Sequence, residues 1–483
     1  MAFPTSGLAR LSKSLIQVRG IDATKFLNGL LTSRLLPNII KKKQHTISEA
    51  ESRHANLAEI IDTRSNYGLM HEDIYDPDFN IGIGRDGINS MILNSKGRVV
   101  TDLFLYTLPF DNYKDCWSEL MQTPGYLIEV DQANSRSVLT MLKMHKLSAK
   151  VKFQEDQGLH SYYYYDDSQE FLEWMEDVQS EYFSSADPVN ALQSANSFIR
   201  KEVIFNTKYA GNILGFAFDN RIPSFGFKFV TNRKVTEDVT SEKEKEEKDI
   251  LIHELFSSNF KFPVAKVAES AVEERRFVNG LFETHDARDD AKLLPFECNL
   301  DYTNGLSLDK GCYVGQELTI RTYNNKTTRK RVFPVEFFRL TPEFVAEAKS
   351  YAGGESTQAL PQVELIAPED VPIESLEESE VWPLFEGEEQ GEVMDKGKSG
   401  EETTRIQSNN PFASSMKSRS PRARVRRNGV GKTLARNGNL GFCTLPISSV
   451  EKFPFFKLKF TPQEGEKEVE IGVKAVIPDW WPE

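Results

Sequence analysis

Cysteine is scarce in this sequence, with only Cys116, Cys298, Cys312 and Cys443 among 483 residues. No two of them stand in a Cys-x-x-Cys spacing, which excludes a disulfide framework and fits a reducing compartment. Seven histidines supply no His-x-x-x-His pair, so no self-contained zinc or iron–sulfur ligand set is present and no permanently bound metal is expected. Long apolar runs are also missing, so no membrane span is expected. Positive charge is in deficit: 59 Lys and Arg against 72 Asp and Glu give a net charge of −13. A nucleic-acid or anionic-membrane partner needs a large basic face, so neither is expected.

Aromatics, by contrast, are plentiful, with 32 phenylalanines in the chain. The length allows two or three domains, since single cores stop growing well before it. The first twenty residues hold Arg10, Lys13 and Arg19, several serines and no acid. That is the composition of a mitochondrial transit peptide, although Ser12 to Val18 also alternates as a strand would. In "GIDATKFLNGLLTSRL" Asp22 is placed to cap a helix whose Phe26, Leu27, Leu30 and Leu31 share one face. "INSMILNSKGRVVTDLFLYTL" reads as two strands, Met91 to Leu93 and Val99 to Leu105, around the turn Asn94 to Gly97. Near the C-terminus, "VGKTLARNGNLGFCTL" predicts a hairpin about Asn437-Gly438, and "FFKLKF" and "VEIGVKAVI" predict further strands.

These patterns predict an α+β protein of mixed, largely antiparallel sheets with a small C-terminal β-domain. Residues 1–330 form the first region, with a charged insertion at about 235–250. Residues 331–483 form the second, with an acidic then basic insertion at about 361–424 that reads as disordered. Two phosphate-binding look-alikes fail on context. "GIGRDG" from Gly82 is followed by a strand rather than a helix, and "GVGKT" from Gly429 lacks its leading glycine.

"LDKGCYVGQELTIR" concentrates the chemistry. Gly311 and Gly315 flank Cys312 and permit a tight backbone and close ligand approach. Lys310 favours the thiolate if the two side chains converge. Gln316 and Glu317 offer planar groups suited to a pterin ring, and Arg321, Arg329 and Arg331 are suited to carboxylates.

This segment resembles the signature of the YgfZ-type folate-binding proteins, relatives of the glycine-cleavage aminomethyltransferase. "RGIDATKFLNGLLTSRL", "LNSKGRVVTDLFLY", "DNRIPSFGFK", "LLPFECNLDYTNGLSLDKGC" and the closing "PDWWPE" extend the likeness over most of the chain, and the insertions resemble fungal members of the mitochondrial branch. The resemblance implies an aminomethyltransferase-like folate-binding fold and a tetrahydrofolate-sized pocket beside Lys310 to Arg321, with Asp102 contributing. It implies a factor without conventional catalytic activity in the mitochondrial matrix. Such a factor would work with A-type iron–sulfur carrier proteins to mature four-iron client apoproteins through Cys312. The alternative is a tetrahydrofolate-dependent aminomethyltransferase. That family's paired aspartate is replaced here by Thr101 and Asp102. Tyr323 and Asn324 stand where many relatives carry histidines, and Pro446 where a basic residue is common.

Overall fold

The computed structural model describes residues 4–37, 57–72, 81–237, 249–287, 292–352, 360–366, 376, 379–385, 429–460 and 469–482. Three antiparallel assemblies organise them. A five-stranded sheet runs in the order Ile88–Leu93, Val99–Thr107, Gly125–Asp131, Lys13–Arg19, Lys152–Glu155. A four-stranded sheet runs Ser6–Leu11, His160–Asp166, Phe227–Thr231, Ile213–Phe218. The C-terminal strands close a six-stranded barrel in the order Lys330–Phe338, Leu440–Pro446, Gly431–Asn437, Glu380–Pro383, Phe455–Phe460, Val469–Ala475. The α+β reading with a C-terminal β-domain therefore stands, and the predicted hairpins fall where turn chemistry put them.

The four consecutive tyrosines Tyr162 to Tyr165 show what the alternation of a strand demands. Successive side chains point to opposite faces, and all four are buried, so both faces of this sheet are covered. Tyr162 and Tyr164 join a phenylalanine-rich core under the helices Gln169–Tyr182 and Pro188–Arg200, while Tyr163 and Tyr165 join a smaller core with Ile222 and Val272. The five-stranded sheet packs the first helix, Ala23–Asn28, and Val138 and Leu142 of the helix Gln132–His145. Only Ser12 separates a strand of one sheet from a strand of the other, and its N–H donates to Glu269 at 2.7 Å.

Three expectations are corrected. Asp22 makes no side-chain cap; its carboxylate instead accepts from the Lys150 N–H at 2.7 Å. Ser6–Leu11, inside the segment with transit-peptide composition, is a core strand paired with His160–Asp166, and Leu8 and Ala9 are fully enclosed. Glu380–Pro383 was expected within a disordered insertion, yet it is a barrel strand because Val381 has an apolar interior to enter. Most of the remaining 361–424 insertion, and of the 235–250 insertion, lies outside the described residues; the edges of the latter pair as Val235–Thr236 with Ile250–Leu251.

Phe216 lies at the centre of the larger aromatic core, with ring centroids 5.1 Å from Phe218, 5.2 Å from Phe198 and 5.5 Å from Phe110. Phe216→Ala should lower stability by about 3–5 kcal/mol, read as a fall in urea midpoint at unchanged slope.

Candidate functional site

The Cys312 segment is held from both sides. On one side the Lys310 amine donates to three carbonyl oxygens, Asn28 at 2.8 Å, Leu31 at 2.6 Å and Ser33 at 2.8 Å. These carbonyls end the first helix and its following turn, where backbone acceptors lack intrahelical partners and a cation satisfies them. The amine also lies 4.7 Å from the centroid of the Tyr313 ring. Burial and the nearby Arg34 push its pKa down to about 7, against the opposing pull of Glu72. On the other side the Val314 N–H donates to Gly29 at 3.0 Å, and Gln316 turns back to accept from the Tyr313 N–H at 3.1 Å.

Gly315 opens the helix Gln316–Asn324 at φ +82°. A Cβ there would stand 2.5 Å from the Asn94 carbonyl, and one on Gly97 would stand 2.8 Å from the Gly315 carbonyl. The central hairpin turn and the cysteine segment thus meet through two glycines. Gly311 is different, since a Cβ there would meet only the Asn28 amide at 4.0 Å. Cys312 itself is exposed, as are Glu317 and Arg321.

The expected residues do not form one site. Lys310 is committed to carbonyls rather than to the thiol. Arg331 grips Asp301 through two bonds of 2.8 and 2.7 Å and donates to Phe296 at 2.8 Å, so it is not held ready for a ligand carboxylate. Asp102 sits five residues along its strand from the Gly97 turn, roughly 16 Å at ~3.3 Å per residue. Its carboxylate accepts from the Thr284 N–H at 3.0 Å and from the Thr284 hydroxyl.

Asp102 belongs instead to the surroundings of a polar cavity of about 310 Å³ at the Ser12 crossing, lined by Lys13, Asp131, Tyr163, Arg221, Arg276 and Glu283, among others. Glu283 is its hub. It accepts from Arg221 at 2.7 Å and pairs with Lys13 at 3.2 Å, His285 at 3.3 Å and Arg276 at 3.8 Å. Burial works against its charge, but Lys13, Arg276 and Arg221 outweigh it and hold the carboxyl well below the usual range. Burial likewise works against the charge of Lys13, whose pKa is nonetheless raised by Glu283, Asp102 and Asp131. Arg221 also holds Asp219 at 2.7 Å, and Lys228 pairs with Glu129, which accepts from Tyr106 at 2.9 Å and Ser161 at 2.6 Å. Among the described residues Glu273, His285 and Asp286 have ligand atoms close enough for a metal ion, but Asp286 is already clasped by Arg276 through bonds of 2.7 and 2.8 Å.

Sequence reasoning missed this cavity. The available signal was a single charge interrupting an apolar strand, Glu129 in "YLIEV" and Lys228 in "FGFKFV". Each is the other's buried partner.

Over its full length the chain is 53% identical to the mitochondrial iron–sulfur cluster assembly factor IBA57 homolog of Candida albicans, covering 100% of both proteins. It is 48% identical to the homolog of Scheffersomyces stipitis over 100% of this chain and 99% of the relative. The chain belongs to the mitochondrial IBA57 family of iron–sulfur cluster assembly factors. The Saccharomyces cerevisiae family member is 33% identical over 67% of this chain and 66% of its own. No family model matches the chain. A structure of the aminomethyltransferase T of the glycine cleavage system from Bartonella henselae overlays at a TM-score of 0.46 with 9% identity, over 98% of this chain and 86% of that one. Membership of the IBA57 family favours cluster assembly over aminomethyl transfer.

Two measurements check the geometry. Gly315→Ala should cost ~1–3 kcal/mol through its left-handed backbone and close carbonyl, whereas Gly311→Ala should be near neutral in the same urea titration. Glu283→Gln should cost about 3–5 kcal/mol at neutral pH by removing the anion shared by Lys13, Arg221 and Arg276 and leaving buried positive charge in excess. Because the folded pKa of Glu283 is depressed, its contribution is present above the unfolded value of about 4.5 and lost as pH falls through the folded one. The gap between variant and wild type should therefore close only in strong acid.

Proposed function

We infer that this chain matures four-iron proteins in the mitochondrial matrix, with Cys312 as a transient thiolate ligand for cluster iron or sulfur. One observation carries the assignment to Cys312: it is an exposed thiol on a segment anchored by Lys310 before it and by Val314 and Gly315 after it. Burial pushes the thiol of Cys443 up to about 12 and that of Cys298 well above its ordinary value, which makes both poor ligands. Cys116 is exposed, but it belongs to another loop, where its thiol donates to the Lys114 carbonyl at 3.7 Å. Thiolate is the soft ligand that cluster iron requires. One cysteine cannot house a cluster, so the remaining ligands come from a partner, an A-type iron–sulfur carrier, and the cluster passes on to apoproteins of the aconitase and lipoate synthase class.

The polar cavity suits the pterin end of tetrahydrofolate. Its volume of about 310 Å³ is at the lower limit of small-molecule sites. Asp131 offers an acceptor for ring N–H groups and Lys13 a donor for a ring carbonyl or nitrogen atom, while Glu283 and Arg221, bonded to each other, form part of the wall. When bound, tetrahydrofolate supplies a nitrogen able to accept a one-carbon unit. The residues of this chain hold and orient the ring, and Asp102, engaged by Thr284, positions the cavity wall. Tetrahydrofolate thus occupies the cavity, apart from Gln316, Glu317 and Arg321.

The test is aconitase activity, with aconitase protein as control, in mitochondria from cells lacking the gene and rescued with wild type or Cys312→Ala. Wild type should restore activity and Cys312→Ala should not, at equal melting temperatures of the purified proteins. Full rescue by Cys312→Ala would remove the thiol from the mechanism, and untouched aconitase in the deletion would remove the client class.

A further inference from the structure

The net charge of −13 sets an expectation against anionic partners, yet the charge is unevenly placed. Residues 132–154, which span the helix Gln132–His145 and enter the next strand, carry five Lys and Arg and no Asp or Glu. Four of the five, Lys143, Lys146, Lys150 and Lys152, lie in the last turn of the helix and the stretch that leaves it.

That stretch breaks a local rule. Lys146 is the C-cap, and the residue after a C-cap commonly takes a left-handed backbone that favours glycine. Here it is Leu147, at φ +43° and 90% exposed. So exposed a side chain gains almost no packing, and the fold would be served at lower strain by glycine. Met144, three residues earlier on the same helix face, is 62% exposed. Ile21, 41% exposed, is brought to the same place, because Asp22 accepts from the Lys150 N–H at 2.7 Å and a Cβ on Gly20 would stand 2.0 Å from the Lys150 carbonyl. The Lys146 amine lies 5.7 Å from the centroid of the Phe153 ring, and Phe153 packs on Phe26 at 5.5 Å, next to the exposed Lys25. Five lysines and three projecting apolar side chains thus share one tip. Asp22 is already engaged there, and the Gly20 N–H donates at 3.1 Å to Pro124 of the uncharged loop 122–124. The tip stands at the start of the first helix, Ala23–Asn28, whose other end holds the Cys312 segment through Lys310.

We propose that this tip is a peripheral docking site for an anionic lipid bilayer, with Leu147, Met144 and Ile21 entering the acyl boundary and the lysines meeting headgroup phosphates. Among the described residues no helix is long and apolar enough to cross a membrane, and the contact proposed is interfacial. Lysine suits this partner. Protein interfaces are depleted in it, because a compact ammonium is costly to desolvate. At a bilayer surface its long stem lies along apolar groups while the ammonium stays hydrated among phosphates. Single-stranded nucleic acid needs exposed rings on which bases stack, and Phe153 is half-buried against Phe26.

The test is flotation of the full-length protein with vesicles of phosphatidylcholine alone or with about 20% cardiolipin, at about 0.1 M and about 0.5 M ionic strength. Wild type should float with the anionic vesicles in low salt, more weakly in high salt, and not with the neutral ones. Leu147→Gly should bind about tenfold more weakly at an unchanged or higher melting temperature, since glycine is the favoured residue there. The triple variant Lys143→Gln, Lys150→Gln, Lys152→Gln should lose about a hundredfold. Lys201→Gln, at an exposed cation elsewhere, should change nothing. No wild-type binding to anionic vesicles, equal binding to neutral ones, or binding undiminished in Leu147→Gly and the triple variant would each overturn the proposal. Binding of a single-stranded RNA oligonucleotide that the triple variant loses and Leu147→Gly keeps, without vesicle binding, would reassign the tip to nucleic acid.

Discussion

A single buried carboxylate, Glu283, holds together parts of the chain that no local rule would assemble. Its partners come from the strand Lys13–Arg19, from the loop after Ile213–Phe218 and from the helix Glu269–Val278. Burying any one of these cations alone would cost several kcal/mol, whereas here each shares Glu283 and keeps a second acid, Asp131, Asp219 or Asp286. The two sheets and the helix are therefore locked as a unit, and the polar cavity is the space left between charges that are mutually satisfied. The crossing at Ser12 is part of the same constraint, because it delivers Lys13 to the hub within one residue of leaving the other sheet.

The cysteine segment obeys a different economy, built on backbone rather than charge pairs. Lys310 spends its donors on the carbonyls that close the first helix, and Gly315 and Gly97 let two turns touch where any side chain would collide. Cys312 thereby sits on an exposed stretch whose direction is set by anchors on either side. The exposed thiol and the charged cavity are consequently separate features: Cys312 is exposed, whereas the cavity is lined by the buried Arg221, Arg276 and Glu283.

Much of the local structure was legible. The turn at Asn94 to Gly97, the hairpin at Asn437-Gly438 and the alternation of the C-terminal strands are written in turn chemistry and period-two patterning, both of which act over a few residues. Where reading failed, a distant partner had decided the outcome. Asp22 gave up helix capping for the Lys150 N–H, and Val381 entered a barrel whose other strands lie more than 40 residues away in the chain. The first strand was masked by its basic, serine-containing composition, which a presequence shares.

The sequence by itself determined the α+β class, the cysteine signature and the hairpin that meets it, because these depend on residue type and near neighbours. Only the tertiary structure decided which charges are spent and which remain. In the sequence Lys310 looks placed to favour the Cys312 thiolate and Arg331 to bind a ligand carboxylate, yet they are consumed by carbonyls and by Asp301, whereas Glu283 looks ordinary and becomes the hub. The reason is physical: a charged side chain acts through whatever lies within a few ångströms of it, and in this fold those neighbours come from segments tens to hundreds of residues away.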